Sequence, residues 1–200
     1  MQFKANKPII LASGSPRRSE LFTMLGVSFD VVTSNAVENE PELITKDFIE
    51  FAKSNAEIKA SAVAKDYPNK VVIGADTIVG LGMRIFPKPK NKEEAKEFLK
   101  ELSGQVHTVV TAVVVIENGE LSTFANSTKV TFRELDDTLI DAYIASGDPL
   151  DKAGAYGIQS GGALFVEKIE GDYYSVVGLP IASLFEHLKA LGIMSLKGGA

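Results

Sequence analysis

VHTVVTAVVVIENGELSTFANSTKVTF, residues 106–132, is the stretch on which the class of fold turns. Its halves, Val106–Ile116 and Leu121–Phe132, are rich in β-branched residues and meet at Glu117-Asn118-Gly119-Glu120. A two-residue hairpin turn needs positive φ at both central positions, and Asn-Gly tolerates this at little cost. The two strands are therefore antiparallel neighbours. Working outward, helices and strands alternate. Upstream stand a helix over Asn91–Leu102, opened by Asn91 with Glu94 three residues on, and a buried strand over Lys70–Val79. Before them come a long helix, Thr45–Asp66, with Phe48, Ala52, Ala56 and Val63 on one face, and a short strand, Phe29–Thr33. The chain opens with a strand at Pro8–Ser13 and a helix at Pro16–Leu25 that Gly26 stops in the left-handed region. Downstream are a helix at Asp136–Ser146 with Gly147 behind it, a strand at Ala163–Ile169 and a closing helix at Pro180–Leu191; only the terminal LKGGA lacks a pattern. Alternation around an antiparallel hairpin defines an α/β fold with a mixed sheet.

The bulk composition excludes several functions. The 200 residues suit one domain, 45% of them hydrophobic and 24% charged. There is no cysteine, hence no disulfide, thiolate metal site or cysteine nucleophile, and two histidines far apart make a histidine zinc centre unexpected. A net charge of −5 with no long basic run argues against a nucleic acid polymer as partner, though not against a local basic pocket. The N-terminal apolar stretch is too short for a signal peptide, and no uninterrupted apolar run reaches membrane-spanning length, so a cytoplasmic, membrane-free protein is expected.

The chemistry concentrates in a few segments. In Leu11-Ala12-Ser13-Gly14-Ser15-Pro16-Arg17-Arg18 a strand ends in a small-residue loop and a helix begins, with Ser15 as N-cap and Pro16 at the first helical position. Free N–H groups and the positive helix end make such a turn an anion site. Arg17 and Arg18 sit in the first turn against the dipole, which suits either plain solvation or a bound anion that reverses the local field. Asp76 interrupts the apolar run Val71-Val72-Ile73-Gly74-Ala75-Asp76-Thr77-Ile78-Val79. A buried carboxylate needs a cation, a metal or good donors, so Asp76 belongs to a structural ion pair or to an active site. Lys59 shares the helical face of Ala52, Ala56 and Val63, pointing inward or snorkelling at the core edge. Lys88 stands between two prolines, and the glycine-rich segment 151–162 is either a turn before a strand or a cover for a ligand. Glu38 and Glu40 lie in an acidic loop that reads as solvated or as a source of oxygen ligands beside Asp76. His107 and His187 have no evident partners and are assigned to structure.

Together these segments resemble the Maf family of nucleoside triphosphate pyrophosphatases. The likeness runs nearly end to end through LASGSPRRSEL, GADTIV, Lys88-Pro89, LSGQVHTVVTAV, KVTFREL, YIASGDPLDKAGAYGIQ and GDYYSVVGLP. It implies an elongated mixed sheet flanked by helices, with two lobes and a nucleotide cleft (Maf/ITPase-like), and homodimers are common in the family. By that resemblance Asp76 matches the proton acceptor, and Ser13, Arg17, Arg18, Lys59 and Lys88 match the phosphate-contacting set. Glu38 matches the acidic residue on the metal side, so Asp76 and Glu38 become the expected ligands of Mg²⁺ or Mn²⁺. Arg17, Thr77 and Gln159 match positions tied to base selectivity, and the Gly157-Ile158-Gln159 form is similar to the subgroup acting on dTTP and UTP. The alternatives are a pyrophosphatase for other nucleotides such as 7-methyl-GTP, or a nucleotide-binding regulator of cell division with incidental turnover.

Overall fold

The computed structural model describes residues 3–39 and 47–197. Thr45, the expected start of the second helix, Glu40 and Glu42 of the acidic loop, and residues 198–200 lie outside the described residues. The chain runs β1 (Phe3–Ala5), β2 (Ile9–Leu11), α1 (Pro16–Thr23), β3 (Asp30–Val31), α2 (Phe48–Ala64), β4 (Val71–Leu81), β5 (Arg84–Phe86) and α3 (Lys92–Leu102). It continues through β6 (Val106–Glu117), β7 (Glu120–Phe132) and α4 (Asp137–Ala145) to short 3-10 turns at Asp148–Asp151, Ala153–Ala155 and Gly161–Phe165. β8 (Val166–Glu170), α5 (Tyr173–Val177), α6 (Ile181–Ala190) and β9 (Met194–Leu196) follow.

The hairpin forms as read, with Asn118 at φ 51° and Gly119 at φ 83°, and Glu117 opposite Glu120. It is the middle of a sheet ordered β3-β2-β4-β6-β7-β8, with β5 also on β4. β2 is parallel to β3 and β4, whereas β4, β5, β6, β7 and β8 pair antiparallel, so the sheet is mixed. Local signals act where expected: Asn91 Oδ1 accepts the Glu94 N–H at 2.8 Å, and Gly26 takes φ 63° behind α1. The Glu94 carboxylate reaches the Lys90 N–H rather than that of Asn91.

β4 positions the site. Along its outer edge β2 covers Val71–Ile73 and β5 covers Val79–Leu81; among the described residues no strand covers the stretch between them. This gap lies just past the C-terminal end of parallel β2, where open α/β sheets place their ligands. Side chains alternate across the strand. Val71, Ile73 and Ala75 join a core with Leu21, Phe22, Leu184 and Leu188. Val79 joins a separate core with Phe98, Leu99, Phe132, Tyr143 and Phe165. Thr77 is the residue of that face between the two cores, so it stands where the lobes part. On the opposite face Val72 and Ile78 pack under Ala52, Ala56, Ala60 and Val63 of α2, and Asp76 falls on this side. The approach is close because residue 74 is glycine: a Cβ there would lie 2.7 Å from Ala56 O and 2.8 Å from Ala60 Cβ.

Several elements differ from the sequence reading. Gly161–Phe165 is a 3-10 turn, so the strand expected from Ala163 begins only at Val166. Packing forces the turn: a Cβ at Gly162 would lie 2.7 Å from Gly157 O, and an extended chain would lose that contact. α1 ends at Thr23 and β3 keeps only two residues. Leu196 is not frayed but pairs with Phe3 in the antiparallel β1–β9 ribbon, which Phe3 anchors on Phe185 with ring centroids 4.5 Å apart.

Candidate active site

The turn after β2 carries most of the anion-binding geometry. Ser15 occupies the N-cap position of α1 as read, although its side chain makes no capping hydrogen bond. Ser13 takes that work instead: its Oγ accepts the Ser15 N–H at 3.2 Å and a proton of Arg18 Nη1 at 3.4 Å. Ser13 is buried behind Arg18 and does not line the cleft. With no acidic residue in its first turn, the positive end of α1 stays uncompensated from within. Arg18 is locked: Nε donates to Gly178 O at 2.9 Å and Nη2 to Thr77 Oγ1 at 3.1 Å. Burial pulls its guanidinium below the ordinary value; Asp76 and Glu38 oppose that pull and Arg17 adds to it. Arg17, less enclosed, donates to Asp151 Oδ2 at 3.1 Å.

Asp76 is 7% exposed, and the cation its burial demands is Lys59. Lys59 Nζ lies 2.7 Å from Asp76 Oδ1 and 2.8 Å from Glu38 Oε2. The helical face of Lys59 thus points inward, and one ammonium stands between the two carboxylates named as metal ligands. Among the described residues no three His, Cys, Asp or Glu side chains form a metal cluster. Two hard carboxylate oxygens do fit Mg²⁺ or Mn²⁺ of the kind that takes its other ligands from phosphates and water.

Both arms face a cleft of about 350 Å³, within the range of small-molecule sites. Arg17, Arg18, Glu38, Lys59, Asp76, Thr77, Lys88 and Gln159 all line it. Its far wall is the glycine-rich segment, held by a network the sequence reading missed. Asp148 Oδ2 accepts from Tyr143 and Ser160 hydroxyls, each at 2.5 Å, and Lys152 Nζ grips Asp148 and Asp151 at 3.0 and 2.6 Å. Tyr143 in turn accepts the Gly157 N–H at 3.0 Å, which ties down the turn bearing Gln159. Burial raises the Tyr143 phenol and Asp148 reinforces this; burial also pushes Asp148 up, but hydrogen bonds from Ser160, Tyr143 and Lys152 together bring its carboxyl below the usual value. The spacing of Asp148, Asp151 and Lys152 within a glycine-rich run was the available signal. Val79, Val109, Tyr156, Ile158 and Val176 add apolar surface to the lining. Lys88 forms no ion pair among the described residues, so it faces the cleft with its charge uncommitted.

The histidines have partners after all, each remote in sequence. His107 Nε2 lies 2.8 Å from Tyr156 Oη, and His187 Nε2 lies 2.8 Å from Ser122 Oγ. Neither lines the cleft, in keeping with structural roles.

A cleft lined by both cations and carboxylates just past the C-terminal end of parallel β2 lies where open α/β sheets bind their ligands, and comparison with known proteins narrows the class. The sequence model described as Maf-like protein matches residues 8–191, and the chain belongs to the Maf family. It is 51% identical over 187 residues to a dTTP/UTP pyrophosphatase of Bacillus anthracis, covering 94% of this chain and 97% of that protein. A dTTP/UTP pyrophosphatase of Bacillus cereus is 52% identical over 94% of this chain and 91% of its own length. Among the described residues no helix is long and apolar enough to cross a membrane.

Proposed function

We propose that this protein is a nucleoside triphosphate pyrophosphatase that converts dTTP and UTP to the monophosphate and pyrophosphate. The carrying observation is the gathering of Arg17, Arg18 and Lys88 around one cleft in a protein of net charge −5, with Lys59 and Lys152 of the same lining paired to Asp76, Glu38, Asp148 and Asp151. A triphosphate carries about four negative charges, part of which Arg18, Lys88 and Arg17 offset together with the positive end of α1. The half-identical relatives named dTTP/UTP pyrophosphatase support the choice of nucleotide.

In this reading the N-terminus of α1, Arg17, Arg18 and Lys88 hold the phosphates. Lys59 anchors the Asp76 carboxylate through their 2.7 Å contact. Asp76 orients a water and takes its proton as the oxygen bonds to the α-phosphorus; the bridging α–β P–O bond breaks and its electrons leave with pyrophosphate. The guanidinium and ammonium groups stabilise charge as it moves onto that leaving group, where fixed charges are most effective. No protein nucleophile is required. Asp76 and Glu38 would hold Mg²⁺ or Mn²⁺, which when bound supplies further neutralisation of phosphate charge. Gln159 offers both a donor and an acceptor, able to pair with the polar edge of uracil or thymine. Ser13 acts through Arg18. The reading includes a cytoplasmic homodimer, which sedimentation checks.

Product analysis with dTTP, UTP, CTP, GTP and 7-methyl-GTP plus Mg²⁺ tests the proposal. Comparable turnover of dTTP and UTP, with release of pyrophosphate and much slower use of the others, supports it. Preference for a guanine nucleotide overturns the substrate assignment, and tight binding without turnover overturns the enzyme reading.

A further inference from the structure

Behind the cleft, β4 and β6 are registered so that Thr77 lies opposite Thr111. Thr111 is fully buried and does not touch the cleft. Its hydroxyl donates to Ser175 O at 2.7 Å, a carbonyl in the last turns of α5 where helical donors run out. A hydroxyl has one proton, so the 2.8 Å contact between Thr77 Oγ1 and Thr111 Oγ1 has only one polarity left: Thr77 donates and Thr111 accepts. Arg18 Nη2 then donates to Thr77 Oγ1 at 3.1 Å, using one of its two lone pairs. The chain of donation runs from Arg18 to Thr77 to Thr111 to Ser175. Both hydroxyl protons in it are committed. Thr77 therefore meets the cleft with one free lone pair and no free proton.

We infer that Thr111 is a positioning residue for base selection, holding the Thr77 hydroxyl as an obligate hydrogen-bond acceptor. This rests on the proposed function, with Thr77 lining the cleft at a position that the family resemblance ties to base selectivity. An obligate acceptor favours a ring that presents an N–H. Uracil and thymine carry N3–H, whereas N3 of cytosine is a bare lone pair that would oppose the oxygen of Thr77. The buried chain keeps a free hydroxyl from simply rotating to suit either ring. A site that offers a fixed acceptor discriminates more strongly than one with a free rotor, because the mismatched group stays unpaired.

Thr111→Val removes the acceptor at nearly constant shape and frees the Thr77 proton. The ratio of kcat/KM for UTP to that for CTP should fall by about tenfold or more, the size of one hydrogen-bond mismatch. Thr111→Ser should restore the ratio. In a Thr77→Val background Thr111→Val should leave the ratio unchanged, since nothing remains to orient. Equal losses for both nucleotides in Thr111→Val, with the ratio kept, would mean a merely structural role and overturn the inference. A test on the unmodified protein uses N3-methyl-UTP, which lacks the donor: turnover near that of UTP overturns the inference, and turnover as slow as CTP supports it. If the unmodified protein fails to prefer UTP over CTP at all, it is the substrate assignment that fails, and that result is read before any variant is made.

Discussion

His107→Gln should abolish most of the acid sensitivity that one buried ring imposes on this fold. His107 is 1% exposed, wedged edge-on against Phe132 and Tyr156 with centroids 4.7 and 5.4 Å away. One ring nitrogen meets Tyr156 Oη, while Nδ1 has no partner among the described residues. Protonation would place a charge and an unpaired N–H in an apolar core, and burial pulls the imidazole down to about 4 from its ordinary 6.5. The folded state thus keeps the ring neutral while the unfolded chain takes up a proton. The contribution to stability is full above pH 6.5, declines as pH falls through the window from 6.5 to about 4, and is flat below it. A shift of this size corresponds to about 3 kcal/mol once complete, and about 2.5 kcal/mol at roughly pH 4.5. Glutamine can still meet Tyr156 Oη but cannot titrate. Urea unfolding of both proteins at about pH 7 and about pH 4.5 isolates the effect, because carboxylates and His187 are common to both. The unmodified protein should lose about 2.5 kcal/mol more than the variant. Parallel losses would refute the reasoning and mean that His107 is as accessible to protons folded as unfolded.

Asp76→Asn should lower kcat by about 10²-fold or more while circular dichroism stays native, since Lys59 keeps Glu38 as partner; near-normal turnover removes Asp76 from the chemistry. Arg17→Ala and Arg18→Ala should each cost about 2–4 kcal/mol in kcat/KM. Only Arg18→Ala should also destabilise the fold, by about 1–3 kcal/mol in urea, because it alone releases Ser13, Thr77 and Gly178; equal stabilities would count against that network. Gly74→Val should destabilise by about 1–3 kcal/mol, since its Cβ collides with the α2 backbone at Ala56, and an unchanged melting temperature would contradict the packing described. EDTA should abolish hydrolysis and Mg²⁺ restore it, whereas full activity in EDTA would leave Asp76 and Glu38 without a metal role.

What the sequence alone determined were the features written within a few residues of one another. Asn118-Gly119 specifies its turn through positive φ, Asn91 and Glu94 open α3 through adjacent backbone donors, and the Ser-Gly-Ser-Pro-Arg-Arg run places a helix start with Pro16 at its first position. The apolar strand around Asp76 announced a buried charge that needed a cation, and helical spacing aimed Lys59 inward, but nothing local joined the two. Tertiary structure decided everything that depends on register and on distant partners. Strands of three residues such as β1 and β9 are too short for a period of two to be seen, so only pairing defines them. The Asp148 network joins residues from α4 and two turns, and His107 finds Tyr156 only because β6 and the glycine-rich segment pack together. Thr77 opposite Thr111 is the sharpest case: a slip of one residue in the β4–β6 pairing would turn one of those hydroxyls to the other face of the sheet. Sequence named the groups that carry charge, whereas the folded chain settled which partner each one meets.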